Sequence, residues 1–367
     1  MRNSVKQISY LAAPIHVWWD ITQQCNFNCK HCYSNAKKSV KDELTTEEVF
    51  GIIDQLKKAQ IGYAYILGGE PLIRPDFPLV LERFRESDIP LMLNTNGWFM
   101  NEEWGERIAA SSVRHLRFSL DGATSSTHDD LRGVKGSFEK VINGIKICRS
   151  KNIPKISCSY TVTSKSISEI KPTCELLVEL GVDAVQFGPL ADTGRACDHP
   201  ELILSALESN EVTKAIGESI QEYGEKIQIY SVDGTYDRPY TRLAKRGLIR
   251  PDFMGCQAGR TCCCIDWKGD VIPCLLWRNP VAGSLRKSSF REIWDNSPLF
   301  NNLRRFRGDE YPECKNCSYT DVCARECPMS PSQNTHTTKD RIAQLAALEK
   351  SASIRPCITF AELCKNG

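Results

Sequence analysis

The chain has 367 residues, 41% of them hydrophobic and 25% charged, so it is long enough to bury a full core and to carry a smaller domain beside a large one. Lys and Arg total 47 against 45 Asp and Glu, a formal charge of +2 that gives no electrostatic footing for a nucleic acid or an anionic membrane as partner. The apolar run from Ile15 to Trp19 is short, interrupted by His16 and closed by Asp20, so no signal peptide or membrane anchor is read there and a cytoplasmic location is expected.

Through about residue 225, short β-rich runs alternate with helical patterns, the arrangement of parallel strands joined by crossover helices. Strands are predicted at His16–Ile21, Tyr63–Leu67, Leu91–Thr95, His115–Leu120, Ile156–Val162 and Ala184–Phe187. The first helix opens on Thr45 with Glu48 three residues on, a capping-box spacing, and buries Val49, Ile52, Ile53 and Leu56. Later helices place Cys148 and Cys174 on their apolar stripes, where free cysteine serves as a small hydrophobe.

Unusual residues gather just after each strand: Cys25–Cys32, Gly68–Pro71, Asn94–Gly97, Ser119–Gly122, Thr163–Ser164 and Gly188–Pro189. That is where a parallel barrel carries its active-site loops. Six units instead of eight predict an α/β fold with a partial, open (β/α)6 TIM-type barrel over residues 11–225. A helical bridge is expected over 226–250. From Cys256 the pattern changes to loops rich in Cys, Gly and Pro, so a small Cys-rich α+β domain is expected over 251–367.

The sequence holds 18 cysteines. Without a secretion signal they are expected to ligate metal or clusters instead of pairing as disulfides, because the cytosol keeps thiols reduced. Cys25, Cys29 and Cys32 fall in one loop straight after a strand. A structural zinc site closes its shell with four ligands, whereas a four-iron cluster on three thiolates keeps one iron open. The competing reading is a zinc loop that borrows a distant fourth ligand.

The CxxxCxxC spacing of Cys25, Cys29 and Cys32 resembles the signature of the radical S-adenosylmethionine (SAM) family. Gly68-Gly69-Glu70-Pro71 resembles the family's GGEP motif, with glycines and a carboxylate near the methionine ammonium. Ser119-Leu120-Asp121-Gly122 resembles its SLDG segment, and His128-Asp129 with Arg132-Gly133 resembles its HDxxRG stretch, whose Arg can clamp the methionine carboxylate. His31 occupies a position that usually carries an aromatic ring near the adenine. The resemblance implies an oxidoreductase that holds a [4Fe–4S] cluster, cleaves SAM reductively to a 5'-deoxyadenosyl radical and abstracts hydrogen from a substrate. An external electron donor such as flavodoxin or ferredoxin is implied with it.

Cys256, Gly269 and Cys274, followed by Cys314, Cys317, Cys323 and Cys327, resemble the SPASM extension of that family, which carries auxiliary iron–sulfur clusters. Two are implied: one on Cys256, Cys262, Cys274 and Cys327, the other on Cys314, Cys317, Cys323 and either Cys357, the favoured choice, or Cys364. Cys262, Cys263 and Cys264 are adjacent and cannot all point at one cluster from an extended backbone, so Cys262 or Cys264 is the expected ligand and Cys263 is expected packed or exposed. A pair of zinc knuckles is the alternative for this region. Cys158 is a candidate hydrogen donor if its strand face lines the barrel interior, with core packing as the competing reading; Cys197 has no decisive reading.

Members with this domain pair usually modify ribosomally made peptides or proteins by cross-linking, thioether formation, epimerisation or oxidation, and a minority act on tetrapyrroles or aminosugars. Peptide modification is the first expectation and small-molecule oxidation or decarboxylation the second. The signature begins at Cys25, which leaves no expected room for a leader-binding domain in front, so a separate leader-binding protein would present a peptide. A non-catalytic iron–sulfur or zinc protein is the remaining alternative.

Overall fold

The computed structural model describes residues 11–231 and 257–305. Cys256, Cys314, Cys317, Cys323, Cys327, Cys357 and Cys364 lie outside the described residues, so the auxiliary ligand sets expected on them are not seen here. Two compact units are present: Met1–Ile229 with Gln257–Phe306, and Tyr230–Cys256 with Arg307–Gly367. All but two of the described residues belong to the first.

Strand β1 (His16–Thr22) pairs in parallel with β2 (Tyr63–Gly68), and parallel pairing continues through β3 (Leu91–Thr95), β4 (Val113–Ser119), β5 (Ile156–Val162) and β6 (Ala184–Pro189). These are the predicted strands, with ends moved by one or two residues. Between them lie α1 (Thr46–Ala59), α2 (Phe77–Ser87), α3 (Glu102–Ala109), α4 (Ser125–Arg132), α5 (Ser137–Arg149) and α6 (Ile170–Glu179). The capping box of α1 forms as expected: Glu48 N–H donates to Thr45 Oγ1 and Thr45 N–H to Glu48 Oε2.

Alternation along the strands decides which face is which. Val17, Trp19 and Ile21 are fully buried against the helices, as are Leu116 and Phe118 of β4, whereas His16, Trp18 and Arg117 on the opposite, concave face keep partial exposure. Cys148 and Cys174 are wholly buried in the helix–sheet core. Cys158 lies there too, in register with Phe118 and Val185. The inward orientation on which a hydrogen-donor role for Cys158 depends is therefore not the one β5 adopts; Ser157 and Ser159 take that face instead.

After α7 (Ala206–Tyr223), the segment expected as a helical bridge begins with β7 (Gln228–Ser231), which extends the sheet beyond β6. At the other end, β8 (Cys262–Ile265) pairs in parallel with β1, and β9 (Asp270–Ile272) and β10 (Gly283–Ser284) follow as an antiparallel run. The short helices α8 (Phe290–Asn296) and α9 (Pro298–Arg305) complete this part, with Trp294 and Phe300 buried and edge-on at 5.6 Å. Among the described residues no helix is long and apolar enough to cross a membrane.

Candidate active site

The loop that leaves β1 brings Cys25, Cys29 and Cys32 into one apolar pocket with Phe27, Ala36, Trp98 and Val134. An N–H is aimed at every one of the three sulfurs. Phe27 N–H lies 3.4 Å and Asn96 Nδ2 3.9 Å from Cys25 Sγ, Arg132 Nη1 lies 3.9 Å from Cys29 Sγ, and Ala36 N–H lies 3.5 Å from Cys32 Sγ. Donors so placed suit sulfurs that carry negative charge. Without metal that charge is costly: burial pushes the Cys25 thiol up to about 12, and it raises Cys29 against the opposing pull of Arg132. A metal bound by these thiols would have to displace their protons. Among the described residues no three His, Cys, Asp or Glu side chains converge on one point to hold a single ion.

Gly68 and Gly69 are dictated by the cluster loop itself. A Cβ on Gly68, whose φ is +134°, would lie 2.3 Å from the Thr22 carbonyl oxygen, and one on Gly69 would lie 2.0 Å from that of Gln24. The close approach lets Gly69 N–H donate to Thr22 O and Glu70 N–H to Gln24 O, both at 2.8 Å. Glu70 is fully buried; its carboxylate accepts from Leu72 N–H at 3.1 Å, Thr95 Oγ1 at 2.9 Å and Asn96 N–H at 2.7 Å. Burial nonetheless pushes it up to about 7. Its partners show that it binds the loops after β2 and β3 together, and Pro71 starts the 3₁₀ turn that follows.

Asp121 gathers the remaining groups. Its Oδ1 accepts from Thr161 N–H at 2.7 Å, its Oδ2 pairs with Arg132 Nη2 at 2.5 Å, and His31 Nε2 lies 3.7 Å away. Burial opposes ionisation of Asp121, but Arg132 beside it holds the carboxyl below its usual range. His128 Nδ1 accepts from Asp121 N–H at 3.1 Å, and burial lowers both His31 and His128 to about 4, so both imidazoles are neutral. Among the described residues His31 Nδ1, His128 Nε2 and Arg132 Nε are buried and have no hydrogen-bond partner. Polar groups left open beside the three thiols suit a zwitterionic ligand such as the methionine moiety of SAM. Ser119 ends β4 in register with Ser159, half-exposed on the same side.

Two arrangements escaped the sequence reading. Arg195 donates from Nε to the Cys29 carbonyl and from Nη1 to the Ala36 carbonyl, each at 2.8 Å, so the segment after β6 clamps the cysteine loop. Gly194, followed by Arg195 in a loop after a strand, was the available signal. Asp20, buried in β1, accepts from Tyr33 Oη at 2.9 Å and pairs with Arg278, whose guanidinium lies between the rings of Tyr33 (5.3 Å) and Trp267 (5.5 Å). The lone acid in an apolar strand hinted at it; the partner, far along the chain, did not.

In β8 the register sets Cys262 beside His16, Cys263 beside Val17 and Cys264 beside Trp18. Cys263 therefore enters the helix-facing core, while Cys262 and Cys264 share the concave face. Burial raises the Cys264 thiol, with Cys274, Cys262 and Cys263 adding to it. Cys197 is exposed in the 3₁₀ turn Gly194–Asp198.

The described residues thus place three cysteines in the loop after the first strand of an open parallel α/β sheet. The chain belongs to the radical SAM superfamily: that family's model matches residues 19–177, and the model of the SPASM iron–sulfur cluster-binding domain matches 256–318. It is 33% identical over 339 residues to the AdoMet-dependent heme synthase of Methanosarcina barkeri, covering 86% of this chain and 92% of that protein. Mycofactocin maturase MftC of Mycobacterium ulcerans is 31% identical over 321 residues, 86% of this chain and 84% of its own. The fold matches Streptococcus suis SuiB bound to S-adenosylmethionine with a TM-score of 0.72 at 20% identity, covering 89% of this chain and 75% of that one. Membership brings SAM and a [4Fe–4S] cluster as cofactors, and the SPASM match brings further iron–sulfur clusters.

Proposed function

We propose that Cys25, Cys29 and Cys32 hold the barrel cluster, and that His31, Asp121, Arg132 and the Gly68–Pro71 turn bind SAM beside it. When bound, this pair supplies one-electron cleavage of a carbon–sulfur bond and hence hydrogen abstraction from a substrate. The chain's own groups prepare the site. The N–H groups of Phe27, Asn96, Ala36 and Arg132 stabilise negative sulfur, Asp121 fixes the guanidinium of Arg132, and Phe27, Trp98 and Val134 keep water from the thiols. Ser119 completes the rim. Cys262, or Cys264 in its place, and Cys274 contribute to the auxiliary ligation, with the remaining ligands among the cysteines outside the described residues.

The substrate we propose is a side chain of a ribosomally made peptide or protein, a reading supported by the 31% identity to a maturase. A second reading, oxidation or decarboxylation of a tetrapyrrole, is supported by the 33% identity to a heme synthase. The observation that carries the activity is the set of N–H donors converging on three sulfurs beside the Asp121–Arg132 pair. Its test is anaerobic reconstitution, reduction and assay for deoxyadenosine. The parent protein should form it, and a protein with Ala at positions 25, 29 and 32 should form none and lose about four irons. Deoxyadenosine from the triple variant would remove the assignment.

A further inference from the structure

The middle of the concave face has no part in the reading above, yet its chemistry is one-sided. On this face the acids are already engaged: Asp20 by Tyr33 and Arg278, Asp121 by Arg132, and Glu70 by three donors. Arg117 of β4 is different. Its Nε donates to Ser157 Oγ at 3.3 Å, its Nη2 reaches only the Tyr65 hydroxyl at 3.5 Å, and no carboxylate pairs with it among the described residues. The guanidinium rests 5.6 Å from the centre of the Tyr65 ring, and Trp18 stands 6.3 Å from that ring on the next strand. Ser157 is held from its other side by His115 Nε2 at 2.5 Å, and burial keeps that imidazole neutral. An arginine is charged at every working pH. One that is half-buried, braced from behind and without a counter-ion among the described residues has N–H groups left for a further anion.

We infer that Arg117 anchors a carboxylate of the substrate, while Tyr65 and Trp18 support the flat or apolar body that bears it. The inference rests on the radical-enzyme reading and adds to it a substrate class. Arg117 lies two residues before Ser119 on β4, one step down the same face from the site where SAM is placed, so an anchored substrate sits below the radical source. A propionate of a tetrapyrrole and a carboxylate of a peptide share this chemistry.

Two acid–neutral pairs separate those sources on the reconstituted protein: coproporphyrin III against its tetramethyl ester, followed by the Soret band, and Ala-Ala-Phe as free acid against its amide, followed by calorimetry. At least one acid should bind about tenfold or more tightly than its neutral twin. That advantage should vanish in R117Q and return in part in R117K, with the cluster absorption and far-ultraviolet circular dichroism of each variant matching the parent. An advantage for the porphyrin supports a small-molecule source and one for the peptide a peptide source. No advantage for either acid, or an advantage undiminished in folded R117Q, overturns the inference. Absence of deoxyadenosine from the reduced parent protein would instead remove the underlying reading, and this inference with it.

Discussion

Arg195 Nε donates to the carbonyl of Cys29 at 2.8 Å across 166 residues of sequence, and Arg195 N–H donates to the Cys32 carbonyl at 3.0 Å. The last barrel loop thus holds the first one in shape. Gly194 makes the approach possible: its φ is +61°, and a Cβ there would lie 2.2 Å from the Cys32 oxygen. Removing the guanidinium leaves two carbonyls short of a charged donor, each worth about 1.5–3 kcal/mol. We expect R195A to release barrel iron to a chelator about tenfold faster or more, with R195K intermediate; release at the parental rate would show that the loop holds its shape unaided.

The Asp121–Arg132 pair is buried on both sides, so breaking it should cost more than a surface bridge would. D121N leaves an uncompensated guanidinium in the interior, and we expect a loss of about 3–5 kcal/mol in anaerobic urea unfolding together with weakened SAM binding by equilibrium dialysis. R132K keeps the charge without the planar fork and should fall between D121N and the parent.

The cysteine triplet of β8 yields a directional test. C263A empties a small volume in the core, so it should cost about 1–2 kcal/mol in stability and leave iron content unchanged. Either C262A or C264A, whichever removes the ligand, should lower iron by about four per chain. Iron loss on replacing Cys263 would contradict the register with Val17.

His115 supplies a pH dependence. Its ordinary value of 6.5 falls to about 2, through burial first and then the neighbouring Arg117, so the folded chain leaves the ring unprotonated where the unfolded chain takes up a proton. Folding stability is then fully present above the unfolded value and is lost as pH falls below it. Between pH ~7.5 and pH ~5 this one ring should account for about 2 kcal/mol of the parent's loss in urea unfolding, and H115Q should lose less by that amount. Equal losses in both proteins would refute it.

Local signals were legible wherever a periodicity or a motif repeats them. The six strands, the Thr45 cap and the core placement of Cys148 and Cys174 follow from alternation and helical spacing, and the first cysteine set from its density in one loop. Gly68 and Gly69 were legible as glycines but not in their reason, because the carbonyls of Thr22 and Gln24 that fill their space belong to another loop. Cys158 was ambiguous since a phase error of one residue reverses a strand's faces, and only the pairing with Phe118 fixes it. Arg195 and Asp20 each carried a local signal, Gly194 in a post-strand loop and a lone acid in an apolar strand, but their partners come together through tertiary closure, which leaves no mark at fixed spacing.

The parallel pairing of β8 with β1 has a consequence for how the chain must be made. Until residue 265 has been synthesised, the outer edge of β1, immediately before the cysteine loop, is an unsatisfied row of backbone donors and acceptors. The nascent barrel is therefore sticky at the strand that leads into the loop of Cys25, Cys29 and Cys32, and closing that edge requires a contact between distant parts of the chain, the slow kind to form. Protein cut off before Cys262 should accumulate as aggregate, and a cell making this chain gains from holding synthesis and cluster delivery in step until the eighth strand is out.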